Sequence, residues 1–432
     1  MSCSRVCGSS PFSRPENIVH QTISTSTSPA PSASSKIRPM NRLLWQIPQL
    51  ISRRIRITLI VGTLAGCSAI SVHVPAPDIA GPTPSTSGLP SDTAPLPAAL
   101  QQAKSRWVPV RWAELPGFGD DKLNEAWNAW TKSCERPGPT FAPLCADVRR
   151  LSIGTEQEQR AWMMQRLQPY RVEPLSASVG GSAQGLLTGY FEPMIDASRV
   201  AKPGFQVPLY RVPTTLASRK PWFTRQEIDT LPEAKAALRG REIAYLADPV
   251  DALVLQIQGS GRLLVTEADG SRRTVRVAFA ASNDQPYKSV GRWLLDQGLI
   301  RDGTWPGIKA WVAQNPQRVN EMLWANPRTV FFREEALTDA DAVFGPKGAQ
   351  GVALTPGRSI AVDKESIPYG TPVWMASSGP AVSLQRLVLA QDTGGDIVGA
   401  VRADYFVGTG AQAGELAGRL KQPLQLWVLW PK

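Results

Sequence analysis

Short runs of β-forming residues, broken by Gly and Pro, dominate the chain from Gly185 to its C-terminus. The 432 residues include 38 Pro and 35 Gly. Strands this short and this often interrupted predict barrels rather than a parallel sheet with alternating helices. The predicted strands are Leu186–Phe191, Val207–Val212, Ala252–Ile257, Arg262–Glu267, Thr274–Phe279, Ser359–Val362, Pro372–Met375, Leu384–Ala390, Asp396–Ala400 and Gln425–Trp430.

A smaller set of segments predicts helices. Leu123, Trp127 and Trp130 follow helical spacing and define one apolar face. Thr155 and Glu158 form a capping-box pattern ahead of a helix that ends near residue 167. The fold class is therefore mainly β with helical additions. Three further helices are predicted at Ser289–Gln297, Gly307–Ala313 and Gln317–Trp324.

The N-terminal region has the pattern of a secretory signal. Arg53–Arg56 precedes the apolar run Ile57–Leu64, which is too short to span a bilayer core of about 30 Å. Leu64 to Cys67 resembles a bacterial lipobox, which predicts lipidation of Cys67. Because Ser68 rather than Asp follows Cys67, we expect the lipoprotein to be sorted to the outer membrane. Translation is expected to begin at Met40, because the residues before it are Ser-, Thr- and Pro-rich without periodicity.

The net charge of +11 suggests at first a protein that binds nucleic acid or an anionic surface. Met1–Gly66 carries eight Lys and Arg and one Glu, a net +7, so only +4 remains for Cys67–Lys432. The basic excess therefore belongs mainly to the predicted leader. We expect no nucleic-acid partner.

Histidine and cysteine usage limits the available chemistry. Both histidines, His20 and His73, precede the region that can fold, which excludes His-based triads, general bases and metal sites beyond them. Cys134 and Cys145 form an even pair in a predicted oxidising compartment and are expected to be disulfide-bonded. No metal and no cofactor is predicted, and acid–base chemistry falls mainly to carboxylates.

Three aspartates, Asp363, Asp392 and Asp404, lie near the ends of β-like runs in the C-terminal region. Burial at such positions can raise the pKa of a carboxyl group, as an acid catalyst of glycoside cleavage requires, although Asp before Gly is also ordinary turn chemistry. Glu192 is a second candidate acid. Asp392-Thr393-Gly394 also matches the local signature of aspartic proteases, and its single occurrence would require a homodimer.

Four motifs in chain order carry a resemblance to a known family: Thr188–Pro193, Gln258–Arg262, Ser359–Asp363, and Asp392–Gly395 leading to Asp404. Together they resemble the membrane-bound lytic murein transglycosylase A family, from about residue 107 to the C-terminus. The last part resembles that family's 3D domain, which is named for three aspartates.

The resemblance implies a double-psi β-barrel domain with a second, inserted β-barrel domain, and a substrate groove between them. The first domain is expected at residues 106–194 and 346–432, and the inserted domain at residues 195–345. The leader at residues 1–66 and a Pro-rich tether at residues 67–105 precede them.

The resemblance also implies non-hydrolytic cleavage of the β-1,4 bond between N-acetylmuramic acid and N-acetylglucosamine, with a 1,6-anhydromuramic end as product. Asp404 matches the family's catalytic acid, Asp392 lies beside it, and Asp363 is a structural or electrostatic member. Residues expected to line the groove are Tyr190, Gln258, Ser260 and Gly261.

The implied partner is the glycan strand of peptidoglycan, and the implied location is the periplasmic side of a Gram-negative outer membrane, with Cys67 as the lipid anchor. Cell-wall synthases and scaffolds are further candidate partners. Two other functions remain open on the sequence: a non-catalytic peptidoglycan-binding lipoprotein and a homodimeric aspartic protease.

Overall fold

The structure is a computed structural model that describes residues 95–175 and 184–432. The predicted signal, the start at Met40, the lipid site at Cys67 and most of the Pro-rich tether lie outside the described residues. None of the helices within these two ranges is long and apolar enough to cross a membrane.

The described strands form two sheets, one with nine strands and one with six. The first contains β1 (Leu100–Gln101), β2 (Ser105–Pro109), β3 (Leu167–Pro174), β4 (Gly185–Glu192), β11 (Ser359–Val362), β12 (Pro372–Ser378), β13 (Ser383–Asp392), β14 (Arg402–Thr409) and β15 (Lys421–Pro431). The second contains β5 (Met194–Ser198), β6 (Val207–Tyr210), β7 (Glu242–Leu246), β8 (Ser260–Thr266), β9 (Arg272–Ser282) and β10 (Val330–Ala336).

Six strands of the first sheet close into a barrel. The order β15-β12-β13-β11-β14-β4 returns to β15, because β15 pairs with β4 near its start and with β12 further along. The pairs β11–β13 and β14–β4 are parallel, and the others are antiparallel. Apolar side chains from all six strands fill the interior, among them Leu187, Ile360 and Val388. Closure leaves these strands without exposed edges.

The second sheet has the order β10-β9-β8-β5-β7-β6 and its own apolar core. The β8–β9 hairpin turns at Glu267–Ser271, as the Asp269-Gly270 signal predicts. Arg199, which follows β5, contacts Glu267 beside β8 and Glu334 on β10. Because β10 lies three positions from β5 in the sheet, this contact requires strong curvature.

The described helices are mostly short: α1 (Leu123–Ser133), α2 (Cys145–Arg150), α3 (Glu156–Arg166), α4 (Arg225–Thr230), α5 (Pro232–Leu238), α6 (Pro249–Gln258), α7 (Val290–Asp296), α8 (Trp305–Gln314), α9 (Val319–Trp324), α10 (Asp339–Ala342) and α11 (Ala411–Arg419). The structure confirms the predicted helices that correspond to α1, α3, α7, α8 and α9. The capping box before α3 is formed, since the Thr155 hydroxyl accepts from the Glu158 amide and Glu158 accepts from the Thr155 amide.

The strand prediction for Ala252–Ile257 is wrong, because these residues belong to α6. Asp248 accepts from the amide of Val250 as the N-cap, Pro249 occupies the first turn, and Gly259 ends the helix with φ 78°. Helix α6 is buried against apolar residues on more than one side, so its sequence lacks the polar face that marks a surface helix. A short buried helix and a buried strand give the same apolar run.

The strand prediction for Asp396–Ala400 is also wrong, because the segment is a turn and the strand begins at Arg402. Strand β14 alternates between buried Ala403 and Tyr405 in the barrel interior and Arg402 and Asp404 on the other face. The alternation of apolar and polar residues along this strand is the signal that the prediction missed.

The predicted disulfide between Cys134 and Cys145 is confirmed, with a Cα–Cα distance of 5.5 Å. It joins the end of α1 to the start of α2, beside a cluster of tryptophans. In that cluster Trp127, Trp130 and Trp162 make mutual ring contacts at 5.1–5.9 Å between centroids. The cluster covers the outer face of the barrel at Trp374 and Trp427.

Glu192 links the two sheets. It ends β4, its side chain is fully buried, and it accepts from Arg262 of β8 at 2.8 Å and from Arg276 of β9 at 2.6 Å. Thr409 of β14 donates to the same carboxylate at 3.0 Å. Both guanidinium groups also donate to the backbone oxygen of Phe344. The carboxylate is therefore paired and hydrogen-bonded, as a buried charge requires.

We expect Glu192→Gln to lower the free energy of unfolding by about 3–5 kcal/mol, because removing one partner of a buried ion pair leaves charge without compensation. Urea unfolding followed by tryptophan fluorescence measures this loss. Asp296→Asn is the control, since it removes an exposed carboxylate that pairs with Arg292 on α7. The control should unfold close to the wild type, and an equal loss in both variants would contradict the structural role of Glu192.

Candidate active site

Asp404 and Asp392 lie in one row of residues across the barrel. Strand pairing sets Thr188 of β4 opposite Asp404 of β14, Asp404 opposite Ala361 of β11, and Ala361 opposite Asp392 of β13. A register shift between Ile360 and Ala361 brings Asp392 into this row. Asp404 and Asp392 therefore lie on either side of β11, with one strand between them. Thr188 joins the same row, although it is far from both aspartates in sequence.

The row lies on the outer face of the barrel. On β14 the side chains of Ala403 and Tyr405 point into the core, so Asp404 points away from it. On this outer face Phe406 packs against Tyr190, with ring centroids 5.3 Å apart. Both aspartates are half-buried, which means that they are surrounded by protein yet open to solvent on one side.

Burial is the main influence on the Asp404 carboxyl and raises its pKa to about 6. The hydroxyl of Thr188 donates to its Oδ1 at 2.5 Å, and the positive charge of Arg402 lies nearby; both oppose the rise. The negative charge of Asp392 adds to it. Near neutral pH a fraction of Asp404 is therefore protonated, which an ordinary aspartate is not.

Asp392 is held by three donors. Its Oδ1 accepts from the amides of Ala349 and Thr393, each at 2.9 Å, and its Oδ2 accepts from the Tyr190 hydroxyl at 2.9 Å. Burial nevertheless raises the pKa of Asp392, with these donors opposing the rise. Burial and the adjacent Asp392 together raise the pKa of Tyr190 well above its usual value, which keeps that hydroxyl protonated as a donor.

Asp363 lies just after β11 and is buried in a different environment. Its carboxylate accepts from the amides of Gly399 and Glu365 and from Lys104, whose Nζ lies 3.1 Å away. Burial acts to raise its pKa, but these donors outweigh it and the net shift is downward. Asp363 thus stays ionised and joins the turn before β14 to the end of β11.

The remaining predicted groove residues fall into two groups. Tyr190 is at the site, and Gln258 at the end of α6 adjoins it, because its side chain accepts from the amide of Phe191. Ser260 and Gly261 lie in β8, and both are buried. A Cβ on Gly261 would approach Leu255 to 2.4 Å, so close packing requires glycine there. The carboxylate of Glu192 is fully buried and held by two arginines, so it is not accessible to a substrate.

Comparisons with known proteins identify relatives of this chain. A model of the MltA specific insert domain matches residues 186–333, and a model of the 3D domain matches residues 358–430. The membrane-bound lytic murein transglycosylase A of Vibrio cholerae is 32% identical over 266 residues, which cover 58% of this chain and 67% of that protein. The chain belongs to the membrane-bound lytic murein transglycosylase A family. It spans about two thirds of the length of this relative.

Two solved structures of this kind share the fold. The lytic transglycosylase LtgG of Burkholderia pseudomallei is 40% identical, with a TM-score of 0.54 over 78% of this chain and 98% of that chain. Escherichia coli MltA with bound chitohexaose is 23% identical, with a TM-score of 0.59 over 78% and 95% of the two chains. The predicted fold class, mainly β with barrels, is confirmed by this family fold.

Several site residues of this family member were missed by sequence reasoning. Thr188 and Arg402 form a hydrogen-bonded group with Asp404, and Arg402 donates to the Thr188 hydroxyl at 2.9 Å. Tyr287, which follows β9, has a pKa raised first by burial and also by the charge of Asp396 in the turn before β14. In the sequence, Thr188, Arg402 and Tyr287 are marked only as polar residues in motifs near strand ends.

The opposite pKa shifts of Asp404 and Asp363 predict opposite pH dependences of stability. A raised pKa means that the folded protein binds the proton more tightly, so the stability contributed by Asp404 falls as pH rises from about 4 to about 6. Asp404→Asn should therefore raise the free energy of unfolding above pH 7 by on the order of 2–3 kcal/mol, and should have little effect near pH 4. Urea unfolding at the two pH values measures this.

Asp363→Asn is the matched comparison. The lowered pKa of Asp363 contributes stability that is present above the unfolded value near 4 and is lost below it, so its removal should destabilise the protein at pH 7 and much less under acid conditions. Destabilisation of both variants at pH 7 would contradict the environment described for Asp404.

Proposed function

We propose that the protein cleaves the β-1,4 bond between N-acetylmuramic acid and N-acetylglucosamine without water and leaves a 1,6-anhydromuramic end, with Asp404 as acid and then base. Membership of a lytic murein transglycosylase family gives the reaction class, a lyase acting on peptidoglycan. The observation that carries the residue assignment is a half-buried, solvent-accessible carboxyl group with a pKa of about 6.

Asp404 fits both halves of the reaction. In its protonated form it gives a proton to the glycosidic oxygen as the bond to C1 breaks. The N-acetyl group of the muramic acid supports C1 until the C6 hydroxyl of the same sugar attacks it. Asp404, now a carboxylate, takes the proton of that hydroxyl. A pKa near the working pH suits a group that must both donate and accept.

Asp392 supports this cycle from the neighbouring position. Its negative charge contributes to the raised pKa of Asp404, and Tyr190 fixes its orientation. A general acid that works beside a second carboxylate keeps its proton to a higher pH than it would alone. Asp363 is given a structural role, because its pKa is lowered and three donors surround it.

The proposed substrate is a glycan strand of peptidoglycan lying over the outer face of the barrel, where the second sheet faces it. The oligosaccharide bound to the Escherichia coli relative supports a sugar ligand for this fold. Tyr190 and Gln258 are proposed to line this groove. Attachment to the outer membrane through lipidated Cys67 is proposed from the lipobox alone.

We expect Asp404→Asn to reduce formation of anhydro-muropeptides from murein sacculi by roughly 10²–10⁴-fold, the usual contribution of a general acid, while the protein remains folded. Mass spectrometry of the products measures this. Asp269→Asn, in the distant β8–β9 turn, is the control and should retain wild-type turnover.

The same digestion separates the alternatives. Reducing sugar ends would indicate a hydrolase, peptide fragments an aspartic protease, and unchanged sacculi with retained binding a non-catalytic lipoprotein. Substantial 1,6-anhydro product from Asp404→Asn would overturn the assignment of the acid, and Asp392 would be the next residue to test.

A further inference from the structure

We propose that Arg402 is a positioning residue that acts through Thr188, fixing the Thr188 hydroxyl as a donor to Oδ1 of Asp404 and thereby leaving the catalytic proton on Oδ2. The inference rests on the proposed role of Asp404 as the acid. It assigns a function to two residues that do not themselves exchange protons with the substrate.

The number of donors and acceptors on each group decides which of Arg402, Thr188 and Asp404 donates and which accepts. Arg402 Nη2 lies 2.9 Å from Thr188 Oγ1, and Thr188 Oγ1 lies 2.5 Å from Asp404 Oδ1. A guanidinium group has donors only, so Thr188 must accept from Arg402. The single hydrogen of the hydroxyl then has one place to go, which is Oδ1 of Asp404.

The backbone holds all three side chains in reach of one another. Arg402 and Asp404 are two residues apart on β14 and therefore share its outer face. Thr188 stands directly opposite Asp404 in the parallel β14–β4 pair. The second branch of the guanidinium, Nη1, donates to the backbone oxygen of Ala403 at 2.5 Å and restricts its rotation. The half-buried Arg402 is thus fixed at both ends of its fork.

This arrangement distinguishes the two oxygens of Asp404. Oδ1 accepts from Thr188 and is a poor site for a proton, so the proton resides on Oδ2. The same Oδ2 then serves both steps: its O–H bond breaks as the leaving oxygen gains the proton, and it regains a proton from the C6 hydroxyl as the C1–O6 bond forms. Without Arg402, the Thr188 hydroxyl could rotate and accept a hydrogen bond from protonated Asp404 instead of donating one to it.

Several charged or titratable groups lie near Asp404, and of these Arg402 lowers its pKa and Asp392 raises it. Tyr190 lies on β4, Asp392 on β13, and Arg402 on its own strand; Asp396 interacts with Arg402, and Lys421 of β15 lies opposite Thr188. Thr188 and Arg402 both lower the pKa of Asp404, against burial. Loss of either should therefore move the alkaline limb of the pH–rate profile upward.

The test compares full-length Thr188→Val, Thr188→Ser, Arg402→Met and Arg402→Lys, with murein sacculi as substrate and anhydro-muropeptides as the product measured. We expect Thr188→Val and Arg402→Met each to lower kcat at least roughly tenfold and to shift the alkaline limb upward by about half a pH unit or more. Thr188→Ser should restore both values, and Arg402→Lys should restore the limb in part. Arg272→Met, which removes an exposed arginine of the second sheet, should leave the profile unchanged.

The double variant Thr188→Val/Arg402→Met tests whether Arg402 acts through Thr188. Because the two residues form one chain, the loss of kcat in the double variant should be smaller than the product of the single losses. Multiplicative losses, or an Arg402→Met variant that changes KM alone with an unmoved pH profile, would overturn the inference and make Arg402 a substrate contact.

Failure of this inference is distinguishable from failure of the proposed function. Activity in Asp404→Asn would remove the acid assignment itself. An inactive Asp404→Asn together with a wild-type pH profile in Thr188→Val would reject only the positioning role. Thr188→Val removes a hydroxyl while conserving volume, so it remains informative if Arg402→Met does not fold.

Discussion

The buried carboxylate of Glu192 is the contact on which the arrangement of the two sheets depends. It belongs to β4 of the barrel, and it is neutralised by Arg262 and Arg276, which come from neighbouring strands of the second sheet. These charged groups are buried and cannot be hydrated where they lie. Separating them would therefore leave buried charges without compensation, at a large cost in free energy. The same strand carries Thr188 and Tyr190, so this ion pair fixes the second sheet relative to the residues that contact the two aspartates.

Two aspartates of the barrel domain, Asp363 and Asp404, have pKa values shifted in opposite directions. Asp363 follows β11, and Asp404 lies on β14, which pairs with β11; yet donors from Gly399, Glu365 and Lys104 lower the pKa of the first, whereas burial raises that of the second. At Asp363 two backbone amides and the ammonium group of Lys104 outweigh burial, whereas at Asp404 burial outweighs the Thr188 hydroxyl and the charge of Arg402. Amide donors alone are not sufficient to lower a pKa, since Asp392 also receives two of them and burial still raises its pKa. Asp363 therefore joins segments of the chain, and Asp404 is able to carry a proton.

Local patterns were sufficient for much of the fold and for few of the site's contacts. The capped helix after Thr155, the hairpin at Asp269 and the Cys134–Cys145 bridge all depend on residues near one another in sequence. Helix α6 was mistaken for a strand because its burial removes the polar face that gives helical periodicity. Thr188 lies 216 positions from Asp404, and Tyr190 lies 202 positions from Asp392, so these pairs exist only once the barrel closes. The aspartates and Tyr190 could be found from their motifs, but which side chains pair with which could not.

The row across the barrel also bears on how many carboxylates the chemistry uses. Two strand spacings of about 4.8 Å separate the backbones of Asp404 and Asp392, with Ala361 between them. Both oxygens of Asp392 already accept hydrogen bonds, from two amides and from Tyr190. An aspartic dyad that shares a proton would have to break some of these bonds. A reaction in which the substrate's own C6 hydroxyl replaces water needs only one proton-transferring carboxyl group. The geometry therefore favours Asp404 as the single acid and base, with Asp392 acting through its charge.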